Sequence, residues 1–199
     1  MRWDNLFDDL EGQLEQELTA EEVDLRAEEE RLRLGRLSLR DRLVAVHARE
    51  PRHSSYSLKV QLADGSHLDI GPRAIGKDWL SGDLAGEHGR AAQCVLPLSA
   101  IASLVLTREQ VTRTLDGPLD DANRSLSTRL TLSFVLRDLC RRRSSVELRL
   151  RSGILFGTID RVGRDHLDLA EHEAGSARRE SVVTRYRVIP FDQVLLVRL

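Results

Sequence analysis

Aromatic residues supply only 4% of this 199-residue chain, so any core must be aliphatic and flat aromatic platforms are scarce. Lysine is scarcer still, since only Lys59 and Lys77 stand among 30 basic residues; the bias looks more like codon usage than selection for guanidinium chemistry, and no function is argued from it. The two cysteines, Cys94 and Cys140, form no CxxC pair and sit within apolar stretches, which predicts two reduced structural thiols rather than a disulfide or a metal site. No apolar run approaches the roughly 20 residues that a membrane-spanning helix requires. The acidic N-terminus is unlike a signal peptide, so the expected location is the cytoplasm. Walker loops, dinucleotide fingerprints and Ser-His-Asp signatures are all missing; Gly82, Gly86 and Gly89 have neither the spacing nor the context of a phosphate loop. No cofactor and no catalytic residue are therefore expected.

What the chain does contain is unevenly distributed charge. The net charge is −2, but residues 1–50 hold 8 Arg against 14 Asp plus Glu, while residues 124–151 hold eight Arg against Asp138 and Glu147. An acidic end and a basic stretch far along the chain can steer partners, or solvate two faces. With 41% hydrophobic residues, one medium domain or two small ones can bury a core.

Helical spacing dominates the N-terminal region. Trp3, Leu6, Phe7, Leu10, Leu14 and Leu18 recur at intervals of three and four, predicting a helix from about Asp4 to Leu18 with one apolar stripe. Thr19 and Glu22 have capping-box form, so a second helix is expected to run towards Leu34, before Gly35. Ser38 and Asp41 predict a third, from Leu39 to about Ala48.

Beyond Pro51 the spacing changes to that of strands. Leu58, Val60 and Leu62 alternate before the turn Asp64-Gly65; Val146, Leu148 and Leu150 repeat this before Ser152-Gly153, 88 positions later. Ile75-Gly-Lys-Asp-Trp-Leu80 matches Val162-Gly-Arg-Asp-His-Leu167, and Val95-Leu-Pro-Leu98 matches Val188-Ile-Pro-Phe191. Leu39-Arg-Asp41 and Leu136-Arg-Asp138 lead the two copies, the latter within a helical pattern from Leu126 to Leu139. Four landmarks in one order indicate an internal duplication. The expected organisation is an acidic helical segment at 1–37, a first copy at 38–106, a linker at 107–122 and a second copy at 123–199. Each copy reads as a helix followed by five strands. Gly71 and Gly157 are expected to allow a bend or close backbone approach inside strand two, and Pro97 and Pro190 to end strand four.

The run Val146 to Gly153, then Gly157-Thr-Ile159, Val162 to Leu169 and Val188 to Val194, resembles the Sm-like fold shared by Sm, LSm and Hfq proteins, over about 75 residues of the second copy and about 65 of the first. The resemblance implies an α+β, mainly β chain: two tandem five-stranded barrels, each preceded by a helix, with strands four and five available for pairing. A PRC-type barrel is the nearest alternative. The family's RNA-contacting residues are not matched, since Asp165-His166-Leu167-Asp168 stands in the corresponding region and no Arg-Gly pair occurs at Pro190-Phe191.

The expected function is thus a non-enzymatic adaptor or regulatory scaffold that binds a protein partner or a second copy of itself, through Trp3, Leu6, Phe7 and Leu10 and through Trp79 if its indole is exposed. The alternative is an RNA- or transcription-associated protein using Arg137, Arg141, Arg142 and Arg143, although cations at a helix C-terminus also complement its dipole. His166, Asp168, Glu171, His172 and Glu173 crowd together without matching a metal-ligand spacing, and read as a solvated polar loop.

Overall fold

The computed structural model describes residues 22–49, 56–85, 92–115, 126–175 and 179–199. Two compact units are distinguished, Met1–Ser38 and Leu39–Leu199. In the first, helix α1 crosses residues 22–36, continuing through Gly35, and every one of these residues is exposed. Arg26–Glu22, Arg31–Glu28 and Arg33–Glu30 pair along its surface at helical spacing, the arrangement that keeps a polar helix helical in water. The expected helix from Asp4 to Leu18 and the stripe Trp3, Leu6, Phe7, Leu10 lie outside the described residues.

In the second unit, helix α2 (Leu39–Arg49) precedes strands β1 (Leu58–Leu62), β2 (His67–Ile75), β3 (Trp79–Leu84), β4 (Ala92–Pro97) and β5 (Ile101–Val105). Helix α3 (Arg108–Leu115) and helix α4 (Leu132–Arg141) follow. Strands β6 (Ser145–Leu150), β7 (Gly153–Val162), β8 (His166–Glu171), β9 (Arg185–Pro190) and β10 (Val194–Arg198) complete the chain. The helical pattern expected from Leu126 is split, a single 3-10 turn at Leu126–Arg129 standing before α4.

All ten strands form one antiparallel sheet, in the order β5-β1-β2-β3-β4-β10-β6-β7-β8-β9. This corrects the expectation of two tandem closed barrels. β4 uses the edge expected to be available for pairing on β10 of the other copy, with Val95 opposite Val197 and Cys94 opposite Arg198, so the strands run on in one sheet instead of each copy closing on itself. The sheet is therefore open, and the two copies are continuous through it.

The duplication is written into the register. Trp79 faces Pro97 as His166 faces Pro190, and Lys59 faces Val105 as Glu147 faces Arg198. The second strand is bulged at corresponding places, between Pro72 and Ala74 and between Ile159 and Arg161. Arg40 donates to the Gly76 carbonyl at 2.8 Å, and Arg137 to the Gly163 carbonyl at 3.3 Å. Both glycines leave room for the ring three residues on, because a Cβ at Gly76 would fall 2.1 Å from the Trp79 indole and one at Gly163 would fall 2.5 Å from the His166 imidazole.

Two aliphatic cores lie along the sheet, and each borrows from the other copy. Trp79 and Val95 of the first copy join Leu132, Leu136, Leu148, Ile159 and Leu167 of the second; Leu195 and Leu196 of the second join Leu43, Val60, Ile70, Leu80 and Leu96 of the first. Each fully buried Leu or Ile contributes about 1.5–3 kcal/mol, so the borrowed residues make the two copies one cooperative body. The segment expected as a linker contains α3, which packs on α2: Arg42 donates to the buried Thr114 hydroxyl at 3.0 and 3.2 Å, and that hydroxyl donates to the Val111 carbonyl at 2.7 Å.

The close approach between the second and third strands falls on different residues than expected in the first copy. A Cβ at Gly157 would lie 2.3 Å from the Ala170 carbonyl oxygen, but at Gly71 the nearest atom would be 3.6 Å away. In the first copy the tight residue is Gly82, whose Cβ would lie 2.4 Å from the Gly71 oxygen. Urea denaturation should therefore show Gly157→Ala and Gly82→Ala each losing about 1–3 kcal/mol, as overpacking does, with Gly71→Ala staying within about 1 kcal/mol of wild type. Equal losses at all three would show that strand flexibility, not contact, sets the cost.

Candidate functional site

The turn between β2 and β3 grips the start of α4. The Lys77 amide and the Trp79 indole Nε1 both donate to the Leu130 carbonyl, each at 3.0 Å, and the Asp78 carboxylate accepts the Leu132 amide at 2.7 Å. Thr131, the residue preceding α4, makes no capping bond of its own, so Asp78 caps this helix from a turn far away in sequence. Trp79 is only 6% exposed. The expectation that it could anchor a partner is thus corrected: its apolar face fills the core below α4, and its one polar atom has an acceptor inside the fold.

In the equivalent turn between β7 and β8 the carboxylate meets its own neighbour, while Arg137 of α4 donates to the Gly163 carbonyl at 3.3 Å. The His166 Nδ1 lies 2.8 Å from the Asp165 carboxylate, and this pairing holds the Asp165 carboxyl below its usual range. Both residues stand at the solvent-facing end of the sheet.

Arg141, Arg142 and Arg143 follow α4 as expected, with local partners. Asp138 takes Arg141 at 2.5 Å and Arg142 at 2.7 Å, and Arg143 reaches Asp160 at 3.0 Å. The hydrogen bond from Arg141, with Arg142 beside it, holds the Asp138 carboxyl below its usual range. The helix ends in a Schellman-type turn, in which the Arg143 amide donates to Cys140 and the Ser144 amide to Leu139. Arg143 has φ 54°, where glycine normally sits. The arginine run is thus built into a helix terminus, with Arg137 directed to the Gly163 carbonyl.

The polar run from His166 to Glu173 does not converge. Asp168 lies 3.8 Å from Arg161, and Glu171 accepts Arg187 at 2.6 Å. His172 is buried, its Nε2 lying 2.9 Å from the Thr158 hydroxyl and its Nδ1 donating to the Glu173 carbonyl at 3.0 Å. Among the described residues no group of three or more His, Cys, Asp or Glu side chains could hold a metal ion.

The outer edges of the sheet offer a further surface. Among the described residues β9 pairs with β8 alone, and β5 with β1 alone. On β9 the Phe191 amide donates to the Asp165 carbonyl at 2.8 Å, so by strand alternation Arg187 and Ile189 direct their backbone groups to β8, and Tyr186 and Val188 direct theirs outward. Tyr186 is 60% exposed and Val188 70%. β5 has no charged residue and no proline, the usual protections of a free edge, and its Val105 is 52% exposed. Alternating strand patterns revealed these strands in the sequence, but not which of them would end the sheet.

Two measurements check the interior of this region. Trp79→Phe, which keeps an aromatic ring but loses the donor to Leu130, should cost about 1 kcal/mol, and Trp79→Ala about 3–5 kcal/mol, in urea unfolding; a Trp79→Ala protein of wild-type stability would place the indole outside the core. Burial pushes the Cys94 thiol up to about 11, keeping it protonated at neutral pH, while the Cys140 thiol donates to the Asp160 carbonyl. A thiol-specific chromogenic reagent should leave Cys94 unmodified in the native protein and titrate both thiols after denaturation; rapid native labelling of Cys94 would contradict its burial. No family model, curated protein or solved structure matches the chain.

Proposed function

We infer that this chain is a non-enzymatic adaptor or scaffold, in which a rigid ten-stranded sheet presents strand edges to protein partners and an acidic N-terminal segment supplies a second binding element. The observation that carries this reading is the β9 edge, where Tyr186 and Val188 stand exposed on a strand with outward backbone donors and acceptors. An unpaired edge of this kind is a template for strand addition. The exposure of every residue of α1 from 22 to 36 agrees with a segment outside the cooperative core.

Association with RNA through Arg137, Arg141, Arg142 and Arg143 is the weaker reading. Asp138 and Asp160 sit among these arginines and cancel part of their field, and the sequence from 137 to 143 carries no aromatic residue.

The readings separate in one set of assays. The full chain, immobilised, should capture a defined set of proteins from native lysate, and Val188→Lys should lose that set while keeping its thermal transition. Deleting residues 1–37 should shift the transition by only a few degrees, yet weaken capture. Labelled RNA and DNA should not bind at physiological salt. Capture indifferent to both changes, together with salt-sensitive nucleic-acid binding abolished by replacing Arg141, Arg142 and Arg143, would reverse the assignment.

A further inference from the structure

The turn at 163–166 repeats a turn whose occupant the structure displays. Inside the two turns the bonds are the same. The Gly76 amide donates to the Trp79 carbonyl at 2.8 Å and the Gly163 amide to the His166 carbonyl at 2.9 Å, while the Leu98 and Phe191 amides donate to the Asp78 and Asp165 carbonyls at 2.9 and 2.8 Å. The bonds that leave the turns differ. In the first copy the Lys77 amide, the Asp78 carboxylate and the Trp79 indole together hold the segment 130–132, at the start of α4. Their counterparts are Arg164, Asp165 and His166. The Arg164 amide has no acceptor among the described residues, and the Asp165 carboxylate and the His166 ring face each other instead.

The sheet beside the two turns matches as well. Register and alternation put Trp79 and Val95 on one face of β3 and β4, where they share a core with Leu132 and Leu136 of α4. The corresponding residues on β8 and β9 are His166 and Val188. They point away from the core that Leu167 and Ile189 help to fill, and Val188 is 70% exposed.

A second copy of this chain offers no segment of the same kind. Its own 130–132 is already held by its own Asp78 turn. Arg40 of α2 and Arg137 of α4 reach the Gly76 and Gly163 carbonyls alike, so Leu39 corresponds to Leu136, as the shared Leu-Arg-Asp requires. Counting back from there, the counterparts of 130–132 are 33–35, which lie inside α1 and make no helix start.

We propose that the turn at 163–166, with Val188 beside it, docks the start of an amphipathic helix of another protein. Asp165 caps the first helical amide, the Arg164 amide and the His166 ring donate to the carbonyl two residues before it, and Val188 receives apolar side chains of the helix. Docking exchanges the contact between Asp165 and His166 for bonds to the incoming backbone, so neither polar group is left unpaired. An ionised carboxylate at a helix start also complements the helix dipole. The inference rests on the scaffold reading above and adds the kind of element its partner presents.

The probe is a synthetic peptide copying residues 126–141, added to isotopically labelled full-length protein. Heteronuclear correlation spectra should show saturable shifts of the Arg164 amide and the His166 imidazole, with the Lys77 amide, already bonded to Leu130, unmoved. A peptide methylated on the Leu132 nitrogen keeps the leucine side chain and loses the amide that Asp165 accepts. It should bind about fivefold more weakly, and Asp165→Ala should cost the unmodified peptide a similar factor, as loss of a helix cap does. The methylated peptide tests the cap on wild-type protein, so that arm is independent of how a variant folds. Absent shifts at Arg164 and His166 with millimolar peptide, shifts at Lys77 in their place, or binding indifferent to both changes would overturn the proposal. Proteins captured from lysate in a Val188-dependent way, and equally well by Asp165→Ala, would reject the turn as a helix site and leave the scaffold reading standing.

Discussion

The pairing of β4 with β10 is the constraint on which the rest of the second unit depends. It joins two five-stranded halves into one sheet and brings Leu195 and Leu196 into the first core. It also sets Trp79 beneath α4, where Leu130 and Leu132 can be held. Its ladder is short, so backbone bonds alone, worth about 0.5–1.5 kcal/mol each, would hold the halves weakly. The exchange of side chains between the two cores supplies most of the cohesion. A buried Trp filling the space under a helix contributes several times what one strand bond does. Hydrogen bonding thus sets the register of the junction, and apolar burial sets its strength.

Much of this was legible in the sequence, in places where a local signal has one physical meaning. Alternation at Leu58, Val60, Leu62 and at Val146, Leu148, Leu150 located β1 and β6, since period two admits no helix. The matched Gly-x-Asp-ring and Pro landmarks were enough to align the two copies, and the register places them in equivalent positions. Strand four was expected to offer an edge for pairing, and β4 does pair with β10, but that this pairing would merge the copies into one open sheet was not legible, because an edge strand reads the same whatever its partner. Trp79 was ambiguous for a related reason: only the arrival of α4 from the other copy, with an acceptor at Leu130, decides that the indole is covered. Helix α3 was missed although its signal was present. Thr107 and Gln110 form a reciprocal capping box, the Thr107 hydroxyl accepting the Gln110 amide at 3.2 Å and the Gln110 side chain accepting the Thr107 amide at 2.9 Å.

The arginine-rich stretch shows why charge counted along a chain is a poor guide to a surface. Eight Arg in 124–151 suggest a basic face. Folding distributes them instead: Arg149 goes to Asp64 at 2.8 Å, Arg143 to Asp160, Arg141 and Arg142 to Asp138, and Arg151 to the Asp192 carbonyl at 3.2 Å. Exposed ion pairs of this kind add little stability, typically up to about 1 kcal/mol, so they do not explain the fold. Their effect is on the long-range field, which each carboxylate shortens by neutralising a neighbour before a phosphate could. Arg149 to Asp64 has a further role, tying a strand of the second copy to the first hairpin turn.

The two copies differ most at the turn between strands two and three. In the first copy it carries Asp78 and Trp79, which cap and underpin the start of α4; in the second it carries Asp165 and His166, engaged with each other, with a smaller ring and with Arg137 of α4 on the Gly163 carbonyl. The burial of Val95 against the exposure of Val188 follows from the same asymmetry, because β4 is covered by β10 while β9 lies at the end of the sheet.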